Sequence, residues 1–211
     1  MSADAEVVCV IDDDPAVRKA LVRLLRSAGL VAEAFASAAE FLAREGDAGV
    51  GCIVLDVRMP GVDGMELQAR LGAAGADLPI LFLTGHGDIP MSVEAMKRGA
   101  VDFLTKPVDE DALLRAVHEA LRRHQADRTE RLETQRLRIR LESLTPREQE
   151  VLGWVITGAL NKQIAGRLGI AEKTVKIHRG RVMQKLGVAT LAELVQICQR
   201  VGVGPAPGAR T

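Results

Sequence analysis

One stretch constrains this chain more than any other: an apolar run that ends in a single carboxylate. Cys52-Ile53-Val54-Leu55 runs straight into Asp56, and Val57-Arg58-Met59-Pro60-Gly61 then turns the chain. A short apolar run bounded by turn residues reads as a strand buried on both faces, as in a parallel sheet covered by helices. Asp56 therefore sits at the carboxyl end of a strand, the edge at which open α/β sheets build their sites. Val7-Val8-Cys9-Val10-Ile11 repeats the pattern and ends in Asp12-Asp13-Asp14. If the two strands are neighbours, three or four carboxylates converge. Like charges that close cannot all stay ionised without a cation. Oxygen ligands of this kind suit Mg2+, which shares its shell with waters and phosphate. A lone Asp in such a place is often only a helix cap. Here two more strand ends carry matching chemistry. Leu78-Pro79-Ile80-Leu81-Phe82-Leu83 ends in Thr84, and Asp102-Phe103-Leu104-Thr105 ends in Lys106-Pro107. One hydroxyl and one ammonium beside the carboxylates complete an anion site.

The first half alternates strands with helices. Pro15 is a good first helical residue. Val17, Leu21, Leu24, Leu25 and Ala28 then mark one helical face, closed by Gly29. Leu30 to Phe35 reads as a strand, and Ser37 to Glu40 has the form of a capping box. Gly61 and Gly64 loosen the loop after Asp56, and a helix follows from Met65 to Leu71. Gly85-His86-Gly87-Asp88 reads as a flexible loop before a helix that reaches Gly99. The last helix of this half starts at Asp109. The pattern gives (βα)5, a doubly wound parallel sheet with right-handed crossovers.

The formal net charge of zero hides a split. Residues 1–120 hold 11 Lys and Arg against 20 Asp and Glu, a net of −9, whereas residues 121–211 hold 17 against 8, a net of +9. Such asymmetry points to two domains and a polyanion partner for the second. Residues 121–143 are highly charged, without Pro or Gly, and continue the fifth helix as an exposed linker. Leu132 and Ile139 stand one heptad apart. Two positions fall short of the sustained heptads a coiled coil needs, so a solvated helix is the simpler reading.

The second domain is all-α, with four helices. Thr145-Pro146-Arg147-Glu148 combines a cap, Pro at the first helical position and a closing Glu. Val151, Leu152, Val155 and Ile156 supply the apolar face, and Gly158 ends the helix. Asn161 caps the next, which carries Ile164, Ala165 and Leu168. Gly169-Ile170 is a tight turn, so two short helices form a helix-turn-helix. The third helix runs from about Ala171 to Lys185, and Thr190 to Glu193 opens the fourth. Val175, Val182 and Leu186 share the inward face of the third helix. Lys173, Lys176, Ile177, Gly180, Arg181 and Gln184 fall opposite. Lys and Arg there suit phosphates. Gly180 admits a close backbone, and an exposed Ile177 can meet a thymine methyl in the major groove. The tail is rich in Gly, Pro and Ala, a composition of disorder.

Other features exclude classes. No apolar run approaches a membrane span, and the acidic N-terminus lacks a signal-peptide pattern. Cys9, Cys52 and Cys198 have no metal-ligand spacing and read as reduced core residues of a cytoplasmic protein. Nothing in the sequence builds a pocket for a free phosphate ester, which argues against a Mg2+-dependent phosphohydrolase.

Residues 6 to about 120, through Asp12-Asp13, Asp56, Thr84, Phe103 and Lys106-Pro107, resemble the receiver domain of two-component response regulators. Residues 144 to about 199 resemble the LuxR-type DNA-binding domain, through Leu144-Thr145-Pro146-Arg147-Glu148, Asn161-Lys162-Gln163-Ile164-Ala165 and Lys173-Thr174-Val175-Lys176-Ile177-His178-Arg179. Together they resemble a response regulator of the NarL/FixJ family, and Thr84 to Asp88 with Pro90-Met91 leans to the FixJ-like branch. The resemblance implies a receiver over 1–120, a charged helical linker over 121–143, a helix-turn-helix domain over 144–200 and a disordered tail over 201–211.

It also implies residue roles. Asp56 accepts a phosphoryl group from a cognate sensor histidine kinase. Asp13, Asp56 and the backbone carbonyl of Arg58 ligate Mg2+, with Asp12 acting through water or as a secondary ligand, whereas Asp14 is a helix cap or solvated neighbour. Lys106 pairs with Asp56 and then with the phosphoryl group, and the Lys106-Pro107 bond is cis. Thr84 hydrogen-bonds the phosphoryl group and Phe103 turns inward behind it. His86 has no proton to move. Lys176, Ile177 and Gly180 face bases, Lys162, Thr174 and Arg179 touch phosphates, and Lys173 lies on the same basic face. His178 is structural. Where the family often has Ser or Thr, Ala171 leaves the third helix without a side-chain cap. Phosphorylation is expected to drive homodimerisation, promoter binding and transcription activation with RNA polymerase. The only chemistry implied is Mg2+-dependent self-phosphorylation and self-dephosphorylation. The rival reading is a constitutive DNA-binding or scaffold protein whose receiver is never phosphorylated.

Overall fold

The computed structural model describes residues 6–44, 49–85 and 89–206. The chain divides into two compact units, residues 1–127 and 128–211, and each has its own core. The loop residues His86 to Asp88, with the reading placed on them, lie outside the described residues, as do 207–211.

In the first unit, strands β1 (Val7–Ile11), β2 (Val31–Phe35), β3 (Val50–Asp56), β4 (Ile80–Thr84) and β5 (Asp102–Thr105) alternate with helices. The helices are α1 (Pro15–Ser27), α2 (Ala38–Leu42), α3 (Gly64–Ala73), α4 (Ile89–Lys97) and α5 (Glu110–Glu142), whose residues from Arg128 onward belong to the second unit. All strand pairs are parallel, in the order β2-β1-β3-β4-β5. Every residue of β3 is buried. Its side chains alternate between faces, as a strand requires. Ile53 and Leu55 join Phe41, Leu67, Leu71 and Ala95 from α2, α3 and α4. Cys52 and Val54 join Leu21, Leu25, Leu113 and Val117 from α1 and α5. This is the doubly wound sheet the apolar runs predict.

Local signals explain the helix starts. Asp14 caps α1, its carboxylate accepting the N–H groups of Ala16 at 2.7 Å and Val17 at 3.4 Å, with Pro15 at the first position. Ser37 caps α2 by accepting the Glu40 N–H at 3.1 Å. The Glu40 carboxylate reaches one residue further back than a capping box requires, to the N–H of Ala36. Cys9, Cys52 and Cys198 are free and buried, and burial pushes all three thiols up, Cys9 to about 11.

In the second unit, α6 (Pro146–Val155), α7 (Asn161–Leu168), α8 (Glu172–Leu186) and α9 (Leu191–Val201) enclose Leu144, Val151, Ile164, Val175, Val182, Leu186 and Leu194. Thr145 and Glu148 close a full capping box at α6, and Thr190 and Glu193 close another at α9. Two expectations are corrected. Asn161 does not cap α7: it is the first helical residue, and Gln163 Oε1 reaches back to accept the Leu160 N–H at 2.8 Å. The chain after α9 is not free up to Ala206. Val203 packs against the core, and the Ala206 N–H donates to the Gly153 carbonyl at 3.0 Å. That carbonyl is available because the Thr157 N–H turns to Trp154 instead, and helix ends leave such groups to be satisfied from outside.

Candidate functional site

Strand order changes direction between β1 and β3, and the crevice at such a switch point is where an open sheet binds ligands. Asp12 and Asp13 follow β1, and Asp56 ends β3. One carboxylate oxygen of each lies within 4.8 Å of those of the other two. Asp12 is fully buried and Asp56 nearly so, while Asp13 is exposed. Lys106, one residue beyond β5, donates to Asp12 Oδ2 at 2.6 Å and to Asp56 Oδ2 at 2.7 Å. The peptide bond to Pro107 is cis.

The backbone holds both carboxylates in place. Asp12 Oδ1 accepts the Asp14 N–H at 2.9 Å, and Asp56 Oδ1 accepts the Arg58 N–H at 3.2 Å. Arg18 of α1 donates a guanidinium N–H to the Asp12 carbonyl. Burial pushes the Asp12 carboxyl above its ordinary value, against the pull of Lys106. Burial also works to lower the Lys106 ammonium, but its hydrogen bonds to Asp12 and Asp56 outweigh this and hold it above its ordinary value. Three carboxylates against one ammonium leave excess negative charge at a mouth that Asp13 opens to solvent. Oxygen donors in that arrangement fit a hard divalent ion such as Mg2+.

Thr84 ends β4 and is buried, and its carbonyl accepts the Lys106 N–H at 2.6 Å. Phe103 pairs in register with Phe82, and their rings lie 6.0 Å apart, tilted by 41°. Phe103 is half-buried on the face of the sheet that carries α4. Arg58 is exposed. The sequence reading treats Gly64 as loop-loosening. It is instead the buried first residue of α3, pressed against the backbone at Asp56.

In the second unit, Gly169 takes the left-handed conformation (φ 64°) that turns α7 into α8. Lys173, Lys176, Ile177 and Gly180 form one exposed stripe along α8, at the three- and four-residue spacing of a helix face. Val175, Val182 and Leu186 are buried behind it. Lys162 is exposed on α7. Thr174 and Arg179 are half-buried, and Arg179 donates to Asn161 Oδ1 at 3.3 Å, tying α8 to α7. His178 Nδ1 is buried without a hydrogen-bond partner. Sequence reasoning also passed over Lys185, whose ammonium pairs with the buried Glu148 at 2.6 Å. Its partner stands 37 residues away, beyond the reach of any local pattern.

Residues 8–118 match the family described as response regulator receiver domain, and residues 142–198 match bacterial regulatory proteins of the luxR family. The chain is a two-component response regulator. It is similar to response regulator protein TodT of Pseudomonas putida, 46% identical over 201 residues that cover 95% of this chain and 88% of that protein. Transcriptional regulatory protein FixJ of Azorhizobium caulinodans is 46% identical over 206 residues, 96% of each chain. The solved structure of response regulator StyR is 50% identical with a TM-score of 0.86, covering 93% of this chain and 99% of that one. The regulator thus belongs to the NarL/FixJ type, with a receiver and a LuxR-type DNA-binding domain. Among its described residues no helix is long and apolar enough to cross a membrane.

Proposed function

We propose that Asp56 is the phosphoacceptor of this regulator and that its phosphorylation by a sensor histidine kinase promotes dimerisation and promoter binding. The observation that carries the reading is the Lys106 ammonium, shared between Asp12 and Asp56 at 2.6 and 2.7 Å. In the transfer, an Asp56 oxygen attacks phosphorus in line. The new P–O bond forms as the P–N bond to the kinase histidine breaks, and the electron pair returns to the imidazole. Lys106 keeps Asp12 and exchanges its Asp56 oxygen for a phosphoryl oxygen, as a point charge can. Asp13, Asp56 and the Arg58 carbonyl would hold Mg2+, with Asp12 nearby, and the ion would supply positive charge against the phosphoryl oxygens. The Thr84 hydroxyl donates to the phosphoryl group, Phe103 follows inward, and the α4–β5 face shifts its population toward a form that dimerises. With a small phosphodonor in place of the kinase the same step is self-phosphorylation; in self-dephosphorylation water attacks phosphorus, the P–O bond to Asp56 breaks and the free carboxylate leaves.

In the second domain, Lys176, Ile177 and Gly180 face bases in the major groove, with Lys173 on the same face and Lys162, Thr174 and Arg179 on phosphates. A dimer then reads two half-sites about one helical turn or a multiple of it apart. Bound to a promoter, the regulator activates transcription with RNA polymerase, working in the cytoplasm. The test is labelling with a small acyl-phosphate donor and Mg2+. The wild type takes up one hydroxylamine-labile phosphoryl group and Asp56→Asn takes up none. A label that persists on Asp56→Asn overturns the assignment.

A further inference from the structure

Three helix ends meet at one ammonium in the second unit. Lys185, in the last turn of α8, donates to the Ser143 carbonyl at 2.9 Å and to Glu148 Oε2 at 2.6 Å. Ser143 is the residue after α5, and Glu148 belongs to the first turn of α6. The same Glu148 oxygen accepts the Thr145 N–H at 2.9 Å, so a carboxylate that is only 2% exposed is doubly satisfied. A reciprocal bond runs the other way. Arg140, in the last turn of α5, donates to the carbonyl of Leu186, the final residue of α8, at 3.2 Å.

Carbonyls at a helix C-terminus lack intrahelical donors and carry the negative end of the helix dipole. Here each of two helices supplies the cation that satisfies the end of the other: Lys185 of α8 serves α5, and Arg140 of α5 serves α8. Removing Lys185 leaves the buried Glu148 carboxylate without its cation. A buried carboxylate left without its partner is costly. Leu141 packs on the same core, and Arg200 of α9 adds an exposed pair to Glu133 of α5 at 3.0 Å. Neither Lys185 nor Arg140 belongs to the exposed Lys173–Gly180 stripe.

We propose that Lys185 and Arg140 are positioning residues for DNA binding, locking the recognition helix α8 to the end of α5. The proposal rests on the reading of α8 as the helix that enters the major groove. The orientation of Lys176, Ile177 and Gly180 is then set by the linker helix, and a change in the direction of that helix turns the reading face with it.

The test uses the full chain and a genomic promoter fragment selected by the wild-type protein. Lys185→Gln and Arg140→Gln each lower affinity for that fragment roughly tenfold, equivalent to about 1.4 kcal/mol. The salt slope stays at its wild-type value, because no phosphate contact is lost. Spin labels at Arg136→Cys on α5 and Glu172→Cys on α8 give a narrow distance distribution in the parent, and both variants broaden it. Arg140 is exposed, so its variant folds and carries the test if Lys185→Gln does not. Unchanged affinity with an unchanged distribution overturns the proposal. So does a salt slope reduced by about one, which marks a direct phosphate contact. If the wild type selects no fragment, the reading of α8 itself falls, and the proposal with it.

Discussion

Gly64 lies against the main chain of Asp56. A Cβ built at Gly64 would stand 2.4 Å from the Asp56 carbonyl oxygen, 3.1 Å from the Phe82 ring and 3.1 Å from the Val57 Cα. Backbone atoms cannot swing aside as the end of a side chain can, so α3 or the strand end bearing Asp56 must shift. Gly64→Ala is predicted to cost about 1–3 kcal/mol, as overpacking does. Phosphoryl uptake at Asp56 should fall with it. Thermal unfolding and labelling by a small acyl-phosphate donor measure the two effects.

Gly180 is the opposite case. Nothing lies within 4 Å of a Cβ built there, so the free protein has no need of glycine in mid-helix. Gly180→Ala should stabilise the regulator by about 0.5–1 kcal/mol through helix propensity. If the backbone approaches DNA at this point, affinity for a selected promoter fragment falls while the midpoint of unfolding rises. Unchanged affinity removes Gly180 from the interface.

Ala171 occupies the N-cap of α8 with φ −68° and ψ 144°, the extended geometry of a cap, but offers no side-chain acceptor. Ala171→Ser is predicted to add about 1 kcal/mol, read as a higher unfolding midpoint of the second unit. A midpoint that does not rise shows that the start of α8 is already held by other means.

Glu148 sets an acid limit on the second unit. The Lys185 hydrogen bond, followed by that of the Thr145 N–H, lowers its carboxyl from 4.5 to about 2. A folded value below the unfolded one contributes stability above pH 4.5, and that contribution is lost as pH falls through about 2. The second unit should lose stability across this window, and Glu148→Gln should flatten the loss while lowering stability at neutral pH. Denaturant unfolding at several pH values, followed by Trp154 fluorescence, checks the sign.

What the sequence made legible follows from chemistry that is local along the chain. Apolar runs stopping at Asp12, Asp56, Thr84 and Lys106 announce strand ends, and a parallel sheet brings strand ends to one edge. The stripe on α8 is legible for the same reason, since helical spacing alone separates Lys176 and Ile177 from Val175 and Val182. What escaped depends on approach between distant segments. Gly64 reads as a loop glycine until the angle of α3 against β3 is known. Glu148 reads as half of a capping box, and the box exists, but its carboxylate also meets Lys185 on another helix. Asn161 is a good cap by composition, yet Gln163 satisfies the Leu160 N–H and moves the start of α7 by one residue. The Gly- and Pro-rich tail reads as disordered because composition does not reveal the Gly153 carbonyl that receives Ala206.

The most direct test of the account is DNA affinity of the purified full-length regulator with Mg2+, with and without beryllofluoride as a phosphoryl mimic, with oligomeric state read by light scattering on the same samples. The mimic is expected to drive dimers and raise affinity for a promoter fragment, and Asp56→Asn to abolish both responses. Equal affinity and one unchanged oligomeric state in both conditions contradict this, and leave a DNA-binding protein whose receiver does not switch it.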